Sequence, residues 1–404
     1  MRRSHRSLLA ISGLLIIAAT AGAAVGWLTH WQSPLDRALI WEDAQVSADL
    51  DYGGDSRLEL PSSDPNVEFP RALSELPSPP TQLAVDPKTG DLWFVIFTYN
   101  GATNDLYHYD SGSATLEKRS IPASTGSEFF SSIAVDGRGH VISAEGSAVL
   151  DIDPAGPIRN LSLPGPANYA QQPGWEGTYV IDMALAADGK AYITRMNAAA
   201  ITEVDLMSGG VKEIAVPTTL GQVYFIELAD NALWMTNWGG TVDVPSQTAV
   251  LNLITGKTEL TSLKAAALAA DGKGQVYVSK SDLRGLARAG SSAASVESME
   301  LTGVVDDGVM ELLAVDSTRG TLWMGGPGIA GIMSSESTGG PVEYYALPYL
   351  PETRRASVPI ACVIQACRSP GPAITMVGGI AVAPDGDLFF SDMSFNRIGI
   401  IHPR

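Results

Sequence analysis

Charged and amide side chains occupy matching places in a stretch that recurs along this chain, directly after a short apolar run. Two of them are carboxylic acids, two are bases and one is an amide, so the side chain changes from copy to copy. This variation favours a binding or catalytic role, because a purely structural position tends to keep one residue type. The seven places hold Ile96, Glu145, Arg195, Asn237, Lys280, Gly326 and Asp392.

Two kinds of site suit these residue types. Acids, bases and an amide around one opening bind a small polar ligand, and the neighbouring Asn197 and Trp238 add hydrogen bonding and stacking. A carboxylate, carboxamide and carboxylate set suits a hard cation such as magnesium or calcium, which makes Glu145, Asn237 and Asp392 candidate metal ligands. The alternative is that these groups only pair with one another, or are hydrated, around a wet pore. The candidate ligand-binding residues are Glu145, Arg195, Asn197, Asn237, Trp238, Lys280 and Asp392.

Short strands must position these side chains. In the last copy, GGIAVAPDGDLFFSDMSFNRIGI at 378–400, alternating apolar residues predict three strands, and Pro384, Asp385 and Gly386 predict a turn between the first two. The turn aspartates of the seven copies are 50, 52, 42, 41, 45 and 69 residues apart. Repeats of this length built from strands are typical of propeller blades with four strands each. The copies are 82–96, 132–145, 182–195, 226–237, 266–280, 312–326 and 378–400.

The sequence therefore predicts an all-β, seven-bladed β-propeller at 81–404, in which the second strands end at one mouth of the central channel. A fourth strand ending in proline follows several copies, but the last copy ends after three strands. Two upstream stretches, LELP at 58–61 and VEFP at 67–70, have the fourth-strand pattern, and we expect one of them to pair with the last blade and close the ring. The longest stretch between repeats, 334–376, is predicted to be an insertion.

The amino-terminal segment 1–31 predicts export. Three arginines precede an apolar run from Leu8 to Leu28, which is long enough to span a membrane with its amino end in the cytoplasm. The alternative is a cleaved signal peptide with a small-residue site at 21–23, which would make the protein secreted. In both cases the propeller lies outside the cytoplasm, after a polar connector at 32–80 that includes the closing strand. We expect a single-pass protein of the cell membrane.

The two cysteines, Cys362 and Cys367, are both in the predicted insertion. In an oxidising compartment they are expected to form a local disulfide, with a free thiol or metal binding as the alternatives. The formal net charge of −18 argues against binding of the exported part to nucleic acid or anionic lipid. The expected partners are a small polar ligand or a protein of the cell envelope.

The stretch 378–400 resembles the blade repeat of the virginiamycin B lyase group, and the other copies are similar to NHL-type repeats. The resemblance implies a seven-bladed propeller and, in that group, elimination that opens a cyclic depsipeptide with a magnesium ion and a Glu-x-His motif. Here the residues two positions after the seven places include no histidine. A proton-abstracting group near neutral pH would then have to be a carboxylate or lysine with a shifted pKa.

Three functional classes follow from this reading. The first is a membrane-anchored propeller that binds a small ligand or an envelope partner at the channel mouth. The second is a metal-dependent lyase or lactone-type hydrolase acting in the channel. The third is a structural subunit of an envelope complex. The missing histidine pattern favours the first.

Overall fold

The structure, a computed structural model, confirms the all-β, seven-bladed propeller. It describes residues 64–96, 105–121, 131–165, 180–195, 198, 200–237, 247–280, 285–303, 312–326, 331–347, 377–393 and 396–404. These residues belong to one compact unit. Within them, no helix has the length and hydropathy that crossing a membrane requires. The predicted membrane or signal segment 1–31, most of the connector and both cysteines are outside the described residues.

Each blade is an antiparallel sheet whose four strands follow one another from the channel outward, apart from the last blade. Blades one and two contain Pro80–Val85, Leu92–Ile96, Asp105–Asp110 and Thr115–Ser120, then Ser131–Val135, Val141–Glu145, Ala148–Ile152 and Ile158–Ser162. Blades three and four contain Val180–Leu185, Lys190–Arg195, Ala200–Asp205 and Val211–Ala215, then Phe225–Ala229, Ala232–Asn237, Gln247–Asn252 and Thr258–Leu260. Blades five and six contain Ala265–Ala270, Val276–Lys280, Leu286–Ala289 and Glu297–Met299, then Leu312–Asp316, Thr321–Gly325, Gly331–Glu336 and Glu343–Ala346. Blade seven contains Val377–Val382, Leu388–Asp392, Arg397–Ile401 and, from the start of the chain, Val67–Glu68.

Three smaller elements complete the described part of the chain. Leu301–Thr302 and Gly340–Pro341 form a two-stranded parallel pair that joins blades five and six. Short 3-10 turns lie at Arg71–Leu73 and Ala293–Ser295. Residues up to 347 thus belong to blade six, so the insertion predicted at 334–376 starts later than its sequence suggested.

The hydrophobic core consists of layers between neighbouring blades, because each sheet is apolar on both faces. Trp234 of blade four is fully buried and packs with Leu268 and Val278 of blade five. Trp93 and Trp323 have the same position in their own blades and pack against blades two and seven. These aromatic side chains are therefore structural, since they fill the wedge between adjacent sheets.

The first strands of neighbouring blades contact one another around a closed ring, so they form the wall of the channel. We call the end where first strands end and second strands begin the turn face. Third strands also end there, and the tight turns of the blades lie on it. The opposite end, where first strands begin and second strands end, we call the loop face.

Five of the predicted turn aspartates accept backbone N–H bonds within the turns of the turn face, namely Asp86, Asp136, Asp271, Asp316 and Asp385. In blade two, for example, Asp136 accepts backbone N–H bonds of 2.8 and 3.1 Å from Arg138 and His140, while Gly139 has a φ of 84°, which glycine adopts without strain. Lysines in these turns also cross to the next blade, since the Lys88 ammonium donates to the Gly137 carbonyl over 2.5 Å.

The ring is closed by the VEFP stretch, as predicted. Val67 and Glu68 pair antiparallel with Ile401 and Ile400, and this joins the two ends of the described chain. The other candidate, 58–61, lies outside the described residues.

Ion pairs and an aromatic contact reinforce this seam. The guanidinium of Arg397 lies 3.7 Å from the centre of the Phe69 ring. Arg404 pairs with Asp64, and His402 lies between Asp387 and Glu68. Contacts between residues more than 300 positions apart thus help to hold the outer strand, Val67–Glu68, against the last blade.

Candidate functional site

Arg195, one of the predicted ligand-binding residues, is directed into its own blade. Its side chain is fully buried at the end of the second strand of blade three. The guanidinium donates to the Pro164 carbonyl over 2.6 Å and to the Glu213 carboxylate over 2.7 Å. Glu213 is on the outermost strand of the same blade and Pro164 follows the last strand of blade two, so this arginine joins two strands of blade three and links them to the end of blade two.

The other described members of the predicted set have similar contacts. Asn237 donates to the Leu220 carbonyl over 2.7 Å and accepts the backbone N–H of Gln247. The Lys280 ammonium donates to the hydroxyl of Ser298 on the outermost strand of its blade over 3.1 Å. The buried carboxylate of Asp392 accepts from Arg397 over 2.7 Å.

The described contacts do not bring these predicted residues together. The second strand is one strand removed from the channel. Arg195 and Lys280 reach the fourth strands of their own blades, and Arg195 and Asn237 also donate to carbonyls of the segments that precede their blades. The side chains of Glu145, Asn197 and Trp238 lie outside what the structure describes. A shared ligand site at these positions, and a metal site at Glu145, Asn237 and Asp392, therefore remain predictions. Among the described residues, no three His, Cys, Asp or Glu side chains are placed to hold a metal.

A different pair of carboxylates lies on the channel wall, in the first strands of blades three and four. Asp182 accepts the backbone N–H of its neighbour Met183 over 2.8 Å and that of Ile226, in the next blade, over 3.0 Å. The hydroxyl of Ser132, in the preceding blade, lies 3.5 Å away. Asp182 thus bridges the first strands of three successive blades.

Glu227 is the second carboxylate of this pair. It lies in the first strand of blade four, directly across from Trp234, and is partly buried. The equivalent residue of blade three, Ala184, packs in the apolar layer between blades three and four. Glu227 therefore places a carboxyl group where other blades have a methyl group.

Burial is the main electrostatic influence on both groups. It raises the pKa of Asp182 to about 6, although hydrogen bonds from Ile226, Met183 and Ser132 oppose the rise. Burial, followed by repulsion from Asp182, raises the pKa of Glu227 to about 8. Within the described part of the chain, neither carboxylate has a salt bridge to a cationic side chain.

Since the raised pKa of Glu227 lies above 7 and that of Asp182 below it, a proton near pH 7 is favoured on Glu227 and Asp182 is favoured in its ionised form. Such a pair can accept a cation, whose charge would replace the proton, or it can act as an acid and a base. Phe225 of the same strand and Tyr224 just before it add aromatic surface nearby, and burial raises the pKa of Tyr224. The channel wall of blades three and four is thus the candidate site.

One position of the repeat marks this site in the sequence. In each blade, one first-strand residue pairs with the recurring aromatic or apolar residue of the second strand. This first-strand residue is alanine in six blades and glutamate in one. A single charged exception in an inner strand indicates a special position. These seven residues are Ala84, Ala134, Ala184, Glu227, Ala269, Ala314 and Ala381.

Comparisons with solved structures agree with the fold. A streptogramin B lyase structure aligns with a TM-score of 0.60 at 16% identity and covers 83% of this chain and 97% of its own. The WD40 propeller domain of Doa1 aligns with a TM-score of 0.55 at 11% identity, covering 84% and 97%, and U3-55K with 0.59 at 8%, covering 85% and 100%. No family model and no curated protein sequence matches the chain. At these identities the likeness shows a propeller and leaves the activity open.

Proposed function

We propose that this protein is an extracytoplasmic, membrane-anchored propeller that binds a small ligand in its channel, with Asp182 and Glu227 contacting a positively charged or hydrogen-donating group of that ligand. The observation that carries the proposal is the presence of two partly buried carboxylates on the channel wall without a cationic side chain among the described residues.

The energetics support a ligand with a positive charge. A carboxylate removed from water is costly unless a cation or several hydrogen bonds compensate it. Elsewhere in this molecule buried carboxylates have such partners, as Asp392 has Arg397. An ammonium or guanidinium group between Asp182 and Glu227 would supply the missing charge, and the proton shared by the pair would leave.

The test is a thermal melt of the full chain with small organic cations, namely butylammonium, guanidinium and tetramethylammonium, against an uncharged alcohol. A cation present at a hundredfold excess over its Kd should stabilise the fold by about 2.7 kcal/mol. The matched variant is Glu227→Ala, which restores the residue of the six other blades and should abolish the shift. If no cation stabilises the protein, or if the variant responds equally, the proposal is wrong.

The second candidate is an enzyme, and the same pair favours it because its two pKa values are separated. Asp182 would abstract a proton while Glu227 donates one, as in other enzymes that use two carboxyl groups in different environments. The fold is like that of a streptogramin B lyase, so a streptogramin B antibiotic is the first substrate to assay.

A metal-dependent version of this candidate would use Glu145, Asn237 and Asp392. A chelator should then lower the melting temperature, and magnesium, calcium or manganese should restore it in the parent protein but not in Glu145→Ala with Asp392→Ala. Absence of turnover and of any metal effect would leave ligand binding as the function.

A further inference from the structure

A second position of the first strand divides the channel wall into a polar and an apolar part. It lies two residues before the alanine or glutamate described above, and residues two apart in a strand have their side chains on the same side. Blades one to three have polar side chains at this position, which we call the wall position, and blades four to seven have apolar side chains or none. The seven residues are Gln82, Ser132, Asp182, Phe225, Ala267, Leu312 and Gly379.

Side chains at the wall position line the space that the first strands enclose. The Ser132 hydroxyl and the Asp182 carboxylate, from neighbouring blades, are 3.5 Å apart. Phe225 and Leu312 each pack against the core layer shared with the next blade and are only partly buried. Because the first strand is the innermost of its blade and neighbouring blades cover its two faces, the exposed part of these side chains is directed to the channel.

The two carboxylates lie at the border between the polar and the apolar part. Asp182 is the last polar residue at the wall position, and Phe225 is the next residue around the ring. Glu227 follows Phe225 by two residues, so its carboxyl group and the aromatic ring are on the same side of one strand. The apolar part continues through Ala267 to Leu312 in the next two blades. A group bound to both carboxylates thus has apolar surface directly beside it.

We propose that the channel binds an amphipathic amine, with its ammonium group between Asp182 and Glu227 and its aliphatic or aromatic substituent on Phe225 and Leu312. This inference rests on the proposed function and adds the ligand class. The hydroxyl of Ser132, beside Asp182, can accept a further N–H bond from the ammonium group. The substituent supplies affinity because its surface leaves water, which lowers Kd about fourfold for each buried methylene group.

Neither a wholly hydrophilic cation nor an uncharged apolar compound matches both parts of the wall. The second ammonium group of a polyamine would face Phe225 and Leu312, whose side chains contain no hydrogen-bond acceptor. An uncharged compound would leave the two carboxyl groups without compensation. A ligand that has an ammonium group and an apolar substituent uses the polar and the apolar part together.

The test compares methyl-, ethyl-, propyl- and butylammonium chloride as ligands of the full chain. The dependence of the melting temperature on the salt concentration gives a Kd for each compound. We expect Kd to fall about fourfold with each methylene group, and thus about 60-fold from methylammonium to butylammonium. Butanol, which has the same chain without the charge, should stabilise the protein far less than butylammonium.

Two variants test where the substituent lies. Phe225→Ser removes apolar surface beside the carboxylates, so the ratio of the methylammonium Kd to the butylammonium Kd should fall below about 10 in this variant. Leu312→Ser should lower the same ratio if Phe225→Ser does not fold. The matched control is Ile254→Ser, which removes an exposed apolar side chain from a turn between a third and a fourth strand and should leave the ratio as in the parent.

Three results would overturn the inference. Similar Kd values for all four salts would leave the carboxylate site in place and remove the apolar substituent from the ligand class. A 60-fold ratio that persists in Phe225→Ser and in Leu312→Ser, at about its parent value, would place the substituent elsewhere. Absence of stabilisation by any of the salts would overturn the proposed function as well, so failure of the inference alone is distinguishable from failure of both.

Discussion

The carboxylates of blade seven and those of blades three and four are treated differently by the fold. In blade seven Asp392 pairs with Arg397, Asp387 with His402, and Asp64, beside the closing strand, with Arg404. On the channel wall, the donors to Asp182 among the described residues are N–H and hydroxyl groups, and Glu227 has a second acid as a charged neighbour. The carboxylates of blade seven are paired with cationic side chains that help to close the ring. Those of the channel wall have no such partner among the described residues.

The presence or absence of a cationic partner distinguishes structural from functional acids in a repeat protein. A buried carboxylate with a fixed cation is already neutralised, so its removal is expected to affect stability. A buried carboxylate without such a partner destabilises the empty fold, so its presence requires another reason, such as a ligand.

The largest effect is expected at the seam. Arg397→Ala removes the partner of the buried Asp392 carboxylate and the contact with the Phe69 ring, so we expect a loss of about 3–5 kcal/mol in the free energy of unfolding. Urea unfolding of the full chain measures this. The double change Arg397→Met with Asp392→Asn should recover a substantial part of the loss, because no uncompensated charge is left behind. Equal instability of the single and double variants would contradict the ion-pair explanation.

On the channel wall, removal of a carboxylate should raise the free energy of unfolding at high pH, whereas the change in the seam lowers it. Glu227 titrates near 4.5 when exposed and near 8 in the fold, so the folded state retains a proton between these values. Its contribution to stability is fully present below pH 4.5 and is lost as the pH rises through 8. Glu227→Ala should therefore be more stable than the parent above pH 8, by about 2 kcal/mol once the partial exposure of the group to water is allowed for.

Urea unfolding at pH 5 and pH 8.5 measures this change. The exposed Glu117 provides a control, because Glu117→Ala should leave the pH dependence as it is. A parent protein whose stability does not fall between these two pH values would mean that Glu227 is solvated in the channel and is no different from a surface acid.

Sequence reasoning predicted the fold and the seam well, because both depend on local patterns. The spacing of turn aspartates and the alternation of apolar residues define each blade, and the VEFP stretch has the form of the missing outer strand. Apolar periodicity fixes which residues lie in strands, and seven such units have only one compact way to close.

The candidate site was not predictable by the same means. The repeat pattern shows that Arg195 ends a strand, but its direction depends on partners such as Glu213, 18 residues away. Asp182 receives an N–H from Ile226, 44 residues away, and this contact exists only once two blades are packed. Glu227 was detectable as the exception among six alanines, although its raised pKa depends on the neighbouring blade.

The smallest effect is expected at His402, a residue of the seam whose charge depends on pH. Burial lowers the pKa of His402, but the hydrogen bond and charge of Asp387 and the contact with Glu68 outweigh it, so the net change is a rise. The stabilising contribution is therefore fully present below pH 6.5 and is lost as the pH rises through the raised pKa.

His402→Gln should cost no more than about 1 kcal/mol at pH 5.5, since the side chain is partly exposed, and almost nothing at pH 9. Unfolding of parent and variant at both pH values measures this, and an equal cost at pH 9 would show that His402 holds the seam by packing rather than by charge. The charge compensation of the seam would then rest on the pairs of Asp392 with Arg397 and of Asp64 with Arg404, and Asp387 would no longer belong to the compensated carboxylates.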